Sequence, residues 1–283
     1  LSMALQPVLK VACLGDSWVS DWERGPNADY WKLLSPTPEA LREGLEHCTW
    51  REVEMVVAGF PGVTAQQTLE LAQICRLRDL AHVHDHRGNH IARNGSAWDQ
   101  LSQLQVPTLT DKWNVDEDVD VVVIIAGYND LLYGEANATE VVWSLRQLQQ
   151  LYRERGVEAI LLSISAGQPE LDDERLRANA ELLADGSVVD ADSIVQGLAA
   201  DLWFNAEHLN DAGYREFGRQ VAESVSRLSK TLSWTPPAGR RAWNSTSESI
   251  WESRSWRWEP WEQPWERRWS SSDWAADSWR GSQ

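Results

Sequence analysis

Several things are scarce in this chain, and each scarcity removes a class of protein. Of 283 residues only three are cysteines, Cys13, Cys48 and Cys75. The number is odd and the spacing matches neither a zinc site nor a disulfide framework, so free thiols in a reduced compartment are expected. Basic residues are also few: 26 Lys plus Arg stand against 43 Asp plus Glu, a formal net charge of −17. A surface of that sign repels phosphate backbones, and no basic run is long enough to overturn it, so no nucleic acid partner is expected. No apolar run approaches the roughly 20 residues of a membrane-spanning helix. The first strand pattern starts near Val8, so no leader peptide is expected within this sequence, which opens on Leu rather than Met and could have lost an upstream segment. A chain without a transmembrane segment, placed in the cytoplasm, is the expectation.

What is present is patterned. Hydrophobic residues make up 42% of the chain, enough for a sizeable core. Four apolar, β-branched runs stand out at Val8–Leu14, Val53–Gly59, Val119–Ala126 and Val157–Ile164. Each is nearly continuous rather than alternating, as expected of strands buried on both faces of a parallel sheet. A weaker fifth run is Ser187–Val195. Between the runs lie helical patterns at Pro38–Cys48, Thr64–Leu80, Thr139–Arg155, Asp172–Ala184 and Asn210–Leu232, the last with Asn210 as a candidate N-cap. Strand–helix alternation with short turns predicts an α/β fold with a doubly wound sheet and right-handed crossovers. Ligands on such sheets bind outside the carboxyl ends of the strands, so those ends are where chemistry is sought.

Two regions break the alternation. Residues 76–113 form a long polar stretch, read as an insertion near the strand ends that could act as a lid; the loop Trp18–Trp31 is expected to line the same pocket. The insertion carries His82, His84, His86 and His90, the first three of which would share one face of an extended segment. A polar loop is the plain reading of that cluster, and no metal or other cofactor is expected. From Trp234 onward the chain changes character. Ten of the eighteen tryptophans fall there, with seven Arg balancing seven acidic residues and almost no aliphatic side chains. Such a segment cannot build an ordinary core, and Pro260 and Pro264 interrupt any helix, so 234–283 is expected to be a disordered tail that could bind an unknown partner.

Three strand ends and one loop carry four candidate groups. Gly15-Asp16-Ser17 follows the first run, and a serine there, after a glycine that permits a tight turn, is presented at the ligand edge. Gly62 stands between the second run and a helix, where its N–H is free and points outward with the helix dipole. Gly127-Tyr128-Asn129-Asp130 follows the third run, and the Asn129 amide could donate to a developing oxyanion. His208 lies in a loop before the last helix, within Phe204-Asn205-Ala206-Glu207-His208-Leu209-Asn210. Taken singly, each is as well explained as a turn, a cap or a surface residue.

In this order the four blocks resemble the SGNH hydrolase superfamily, also called GDSL esterases and lipases. The resemblance runs over roughly Val8–Leu232 and rests on Gly-Asp-Ser at 15–17, Gly62, Gly-x-Asn-Asp at 127–130 and His208 followed by Leu209-Asn210. It implies a three-layer α/β/α sandwich with about five parallel strands, flavodoxin-like, for a hydrolase domain at 1–233. It also implies a serine esterase acting on a small-molecule carboxylic ester through an acyl-enzyme. Ser17 would be the nucleophile and His208 its base, with an oxyanion hole made by the N–H groups of Ser17 and Gly62 and the Asn129 amide. One departure matters. The family pattern is Asp-x-x-His, but Asn205 stands where the aspartate belongs. An aspartate there fixes the imidazole tautomer, whereas Asn is neutral and presents either its oxygen or its NH₂. Asn205 could orient the ring with its oxygen. Asp201 is a conceivable substitute, and Glu207, next to His208, should point elsewhere. The alternative is a catalytically impaired SGNH-like binding protein.

Overall fold

All four continuous apolar runs become strands of one sheet in the computed structural model, which describes residues 7–24, 30–60, 62–74, 76–77, 118–133 and 136–232. In chain order the sheet strands are β1 (Leu9–Gly15), β4 (Val53–Gly59), β5 (Val121–Ile125), β6 (Glu158–Leu162) and β7 (Val188–Val189). They lie in the order β4-β1-β5-β6-β7, with every neighbouring pair parallel. Counting sheet strands alone this is 2-1-3-4-5, the flavodoxin-like order, whose switch point falls between the first strand and the third.

The lack of alternation in the runs now has its cause. Leu9, Val11 and Cys13 of β1 and Val121, Val123 and Ile125 of β5 pack on one face with Leu41, Leu45, Phe217 and Val221. Ala12, Leu14, Val122 and Ile124 pack on the other with Val141, Leu145, Leu148 and Leu182. The first face is covered by α1 (Thr37–Thr49) and α7 (Asp211–Leu228). The second is covered by α2 (Ala65–Ile74), α4 (Ala138–Glu154) and α5 (Asp172–Leu183). A central strand with apolar contacts on both sides has no polar position to spare. Burial also makes Cys13 inert: the thiol is pushed up to about 12 by desolvation.

Helix starts follow from single side chains. Asn137 and Glu140 form a reciprocal capping box on α4. Asn210 caps α7 by accepting the Gly213 N–H at 3.0 Å. The same device corrects the reading of Ser187–Val195 as a strand. Only Val188 and Val189 pair, because the Asp190 side chain accepts the Ser193 N–H at 3.0 Å and turns the chain into α6 (Ala191–Gln196).

A second correction concerns the stretch read as the loop Trp18–Trp31. Ser20–Arg24 (β2) and Tyr30–Leu34 (β3) pair as an antiparallel ribbon. The signal was there: aromatic residues at Trp22, Tyr30 and Trp31 flank Gly25-Pro26-Asn27, a turn-type composition.

The polar insertion from 78 on and the tail from 234 lie outside the described residues. The described residues beside the insertion are informative nonetheless. α2 starts at the carboxyl end of β4 and runs back, so Leu77 follows it at the amino edge of the sheet. Asp118 is paired there with Lys10 at the start of β1. Both flanks sit at the edge opposite the one reached by Gly15. Among the described residues no helix is long and apolar enough to cross a membrane, and no cluster of side chains could hold a metal ion.

Candidate active site

Register brings three strand ends level. Gly15 is paired with Gly59 of β4 on one side and with Ile125 of β5 on the other. The residues that follow each strand therefore emerge together at one edge. The Phe60 N–H donates to Gly15 O at 2.8 Å and the Asp16 N–H to Ile125 O at 3.1 Å, so pairing continues one residue past each strand. Gly15 is required by this close approach: a Cβ there would lie 2.0 Å from the Ile125 carbonyl oxygen.

The turn after β1 is built by the neighbours of Ser17. Asp16 is buried, and its Oδ1 accepts the Trp18 N–H at 3.0 Å while its carbonyl accepts the Val19 N–H at 3.0 Å. Trp18 is buried as well, packed edge-on against Tyr214 and Phe217 of α7 with ring centroids 5.6 and 5.1 Å apart. Ser17 is thus held between two buried residues with its own side chain half-exposed. Its backbone N–H has no acceptor among the described residues. Burial pushes the Asp16 carboxyl up to about 7; the Trp18 N–H pulls it down and the charge of Asp130 adds to the rise.

His208 reaches this turn from a hairpin. Trp203 and Leu209 form an isolated antiparallel bridge, and His208 O accepts the N–H groups of Phe204 and Asn205 at 2.9 and 3.2 Å. Leu209 is buried, and the capped start of α7 follows at once. The ring then lies with Nε2 3.0 Å from Ser17 Oγ. Two residues 191 apart in sequence are in hydrogen-bonding contact at the switch-point edge.

Val63 returns its N–H to Phe60 O at 3.1 Å, closing a turn in which Gly62 has φ 77°. That left-handed conformation favours glycine. The Gly62 N–H has no acceptor among the described residues. α3 (Tyr128–Leu132) begins directly after β5 and holds this loop from the other side. Asn129 Nδ2 donates to Val63 O at 3.1 Å, which leaves its second N–H available. Asp130 Oδ2 accepts the Ala65 N–H at 2.7 Å, placing a buried carboxylate in the first turn of α2. Thr64 and Gln67 complete that helix start with reciprocal hydrogen bonds of 3.1 Å each.

Asn205 is placed differently from the rest. Its Oδ1 accepts the N–H groups of Glu207 and His208, both at 2.8 Å. Two N–H donors require the oxygen there, so the amide closes the turn of the hairpin. No hydrogen bond joins Asn205 to the imidazole, and Nδ1 of His208 has no hydrogen-bond partner among the described residues. Glu207 points away from the ring and accepts from Gln168 Nε2. Asp201 is exposed and meets Asn210 only through its backbone oxygen.

Sequence reasoning named Ser17, Gly62, Asn129 and His208, but not the roles of Asp16, Trp18 and Asp130 in shaping the loops around them. A buried acid beside a strand end was the available signal. Two hollows of about 400 and 490 Å³ lie along α4, the larger against α2 with Thr64, Gln67, Asp130 and Trp143 in its wall; neither is lined by Ser17 or His208.

No protein-family model and no curated protein matches the sequence. Among solved structures the chain is similar to a lipolytic protein of the G-D-S-L family from Veillonella parvula, at 17% identity over 78% of this chain and 100% of that one, with a TM-score of 0.48. It is also similar to the aryl esterase of M. smegmatis, at 15% identity over 78% and 100% of the two chains, with a TM-score of 0.47. A third is a family 3 carbohydrate esterase of Clostridium thermocellum, at 13% identity, covering 78% and 97% at a TM-score of 0.48.

Proposed function

We propose that this protein is a serine esterase. The observation that carries the reading is the 3.0 Å contact between His208 Nε2 and Ser17 Oγ at the switch point of the sheet. An imidazole within hydrogen-bond reach of a serine is the arrangement that activates a hydroxyl nucleophile. The order of the four sequence blocks, which resembles SGNH hydrolases, supports the same assignment.

Ser17 Oγ attacks the carbonyl carbon of a carboxylic ester and passes its proton to His208 Nε2. The oxyanion is held by the Ser17 and Gly62 N–H groups and by the second N–H of Asn129. Collapse expels the alkoxide, which takes the proton from His208 and leaves as the alcohol. Water then attacks the acyl-Ser17 ester, again through His208, and releases the acid. Nε2 accepts a proton only while Nδ1 holds the ring hydrogen. With no carboxylate bonded to Nδ1 among the described residues, the pair works as a dyad.

The test is hydrolysis of p-nitrophenyl acetate and butyrate by wild type and Ser17→Ala, with fluorophosphonate labelling. Wild-type turnover that falls about 10⁴-fold or more in Ser17→Ala, together with labelling at Ser17, supports the esterase. The position of Asn205 favours a second reading, an SGNH-like protein that binds esters without turning them over. Its signature is wild type that neither hydrolyses nor labels, with activity gained in Asn205→Asp.

A further inference from the structure

The hairpin that carries His208 is well tied at its base and barely tied at its tip. At the base, Leu209 is buried, the Asn210 N–H donates to Leu202 O at 2.9 Å, and Asn210 Nδ2 donates to the Asp201 carbonyl. At the tip, Phe204, Asn205 and Ala206 are all exposed, Phe204 to 70%. Hydrogen bonds inside the hairpin keep its shape but do not fix where it points. Apart from the contact of His208 with Ser17, one hydrogen bond among the described residues ties the tip to the rest of the protein, that from Gln168 Nε2 to the Glu207 carboxylate.

Gln168 belongs to the loop that leaves the carboxyl end of β6, so it rises at the same edge as Ser17. Its backbone N–H donates at 3.0 Å to the hydroxyl of Tyr128, the residue before Asn129. The Tyr128 ring is packed so tightly against this loop that a Cβ on Gly167 would lie 2.4 Å from its hydroxyl. Tyr128 stays a neutral phenol across the working range: burial pushes it up to about 12, and the nearby charge of Glu207 adds to the rise. The loop is anchored behind as well, since Asn179 of α5 bonds both the N–H and the carbonyl of Ile164 at 2.8 Å.

We infer that Gln168 is the positioning residue for His208, clasping Glu207 with its side chain and Tyr128 with its backbone. The clasp joins the hairpin bearing the base to the short helix bearing Asn129, so base and oxyanion donor are set by one strap. In a triad a carboxylate bonded to Nδ1 restrains the ring directly. Here the restraint is moved from the ring to the backbone beside it. The inference rests on the esterase reading for its kinetic consequence, but not for its structural one.

The test uses Gln168→Ala, Gln168→Glu, Glu207→Gln and the double exchange Gln168→Glu/Glu207→Gln in the full chain. The alanine variant should lower kcat for p-nitrophenyl acetate about tenfold, with KM within about twofold, since misplacement of a catalytic group by 1 Å can cost about 10². Gln168→Glu should fall further, because it sets two carboxylates face to face. The double exchange reverses the direction of the same hydrogen bond and should return kcat to within about threefold of wild type. A role in stability alone would not give loss and recovery of kcat at constant KM. Gln168→Ala or Gln168→Glu with wild-type kcat, or a double exchange that recovers nothing, would overturn the inference. If wild type proves inactive on every ester and towards fluorophosphonate, the esterase reading fails, and the position of the His208 ring decides the clasp. Nuclear Overhauser contacts between the His208 ring and the Ser17 side chain that fall about twofold or more in Gln168→Ala support it. Contacts as strong as in wild type overturn it.

Discussion

Ser17 stands at the end of a strand with a partner on each side, whereas His208 stands in a short hairpin closed by its own hydrogen bonds. The turn after β1 inherits its position from the sheet: Gly15 is locked between Gly59 and Ile125, and Asp16 and Trp18 are buried. The hairpin at 203–209 inherits only its base from α7, and its shape rests on hydrogen bonds within itself, those of the His208 carbonyl and of the exposed Asn205 amide. Errors at the first place propagate through packed backbone, which has little room to relax. Errors at the second are local. On the proposed esterase reading the two residues should therefore fail in different ways, Ser17 with the fold and His208 without it.

The largest effect is expected from Gly15→Ala. The added methyl would sit 2.0 Å from a backbone oxygen that cannot move without parting β1 from β5. A loss of about 4 kcal/mol or more is expected, read by urea unfolding. A loss under about 1 kcal/mol would mean the sheet end is as compliant as the hairpin, and the contrast would collapse.

Next comes Asn129→Ala, which removes the tie to Val63 and, on the proposed reading, an oxyanion donor. Turnover of p-nitrophenyl acetate should fall by about 10² to 10³. Equal losses in kcat and kcat/KM would place the interaction in the transition state; a rise in KM alone would make Asn129 a loop tether only.

Asp16→Asn sharpens the comparison through pH. The Asp16 carboxyl titrates near 7 in the folded protein against a usual value of 3.8. A raised folded value means the group favours folding when protonated. That contribution is whole below about pH 4 and is lost as pH rises through 7. The variant, whose amide oxygen can still accept the Trp18 N–H, should match wild type at pH 4 and exceed it by on the order of 2 kcal/mol at pH 8. Melting curves across pH 4–8 that stay parallel for the two proteins would remove Asp16 as the cause.

The smallest change is Asn205→Ala, about 1 kcal/mol in stability, as for the loss of a cap. Asn205→Asp keeps an acceptor for the same two N–H groups and should hold that stability. Melting temperatures of the three proteins at pH 7 check this.

The same contrast decided how much could be seen in the sequence. Strands buried on both faces write themselves as continuous apolar runs, and the three strand ends bearing Ser17, Gly62 and Asn129 were legible for that reason. Four strand positions were placed within about two residues. His208 was a candidate from its loop before the last helix but gained weight only through the resemblance, because a loop histidine carries no periodicity. The partner of Asn205 was illegible in principle: an Asn two residues before one N–H and three before another can close a turn or face a ring, and only the fold selects. Gln168 lay at another strand end, where the edge rule pointed, but nothing in its type distinguished it from a surface glutamine. The β2–β3 ribbon was missed because its strands are short and mixed in polarity.

The chain leaves α2 and re-enters β5 at the edge of the sheet away from Ser17, with Lys10 and Asp118 joined at the point of return. Closing a loop twice as long costs only about 0.6 kcal/mol more. A change of length between Leu77 and Asp118 is therefore joined to the sheet at its amino edge, away from the strand ends that lead to Ser17, Gly62 and Asn129. The architecture separates the edge where the chain leaves and re-enters the sheet from the edge where Gly15 is locked, and a lineage could acquire new segments at the first while Gly15 and its neighbours stayed fixed.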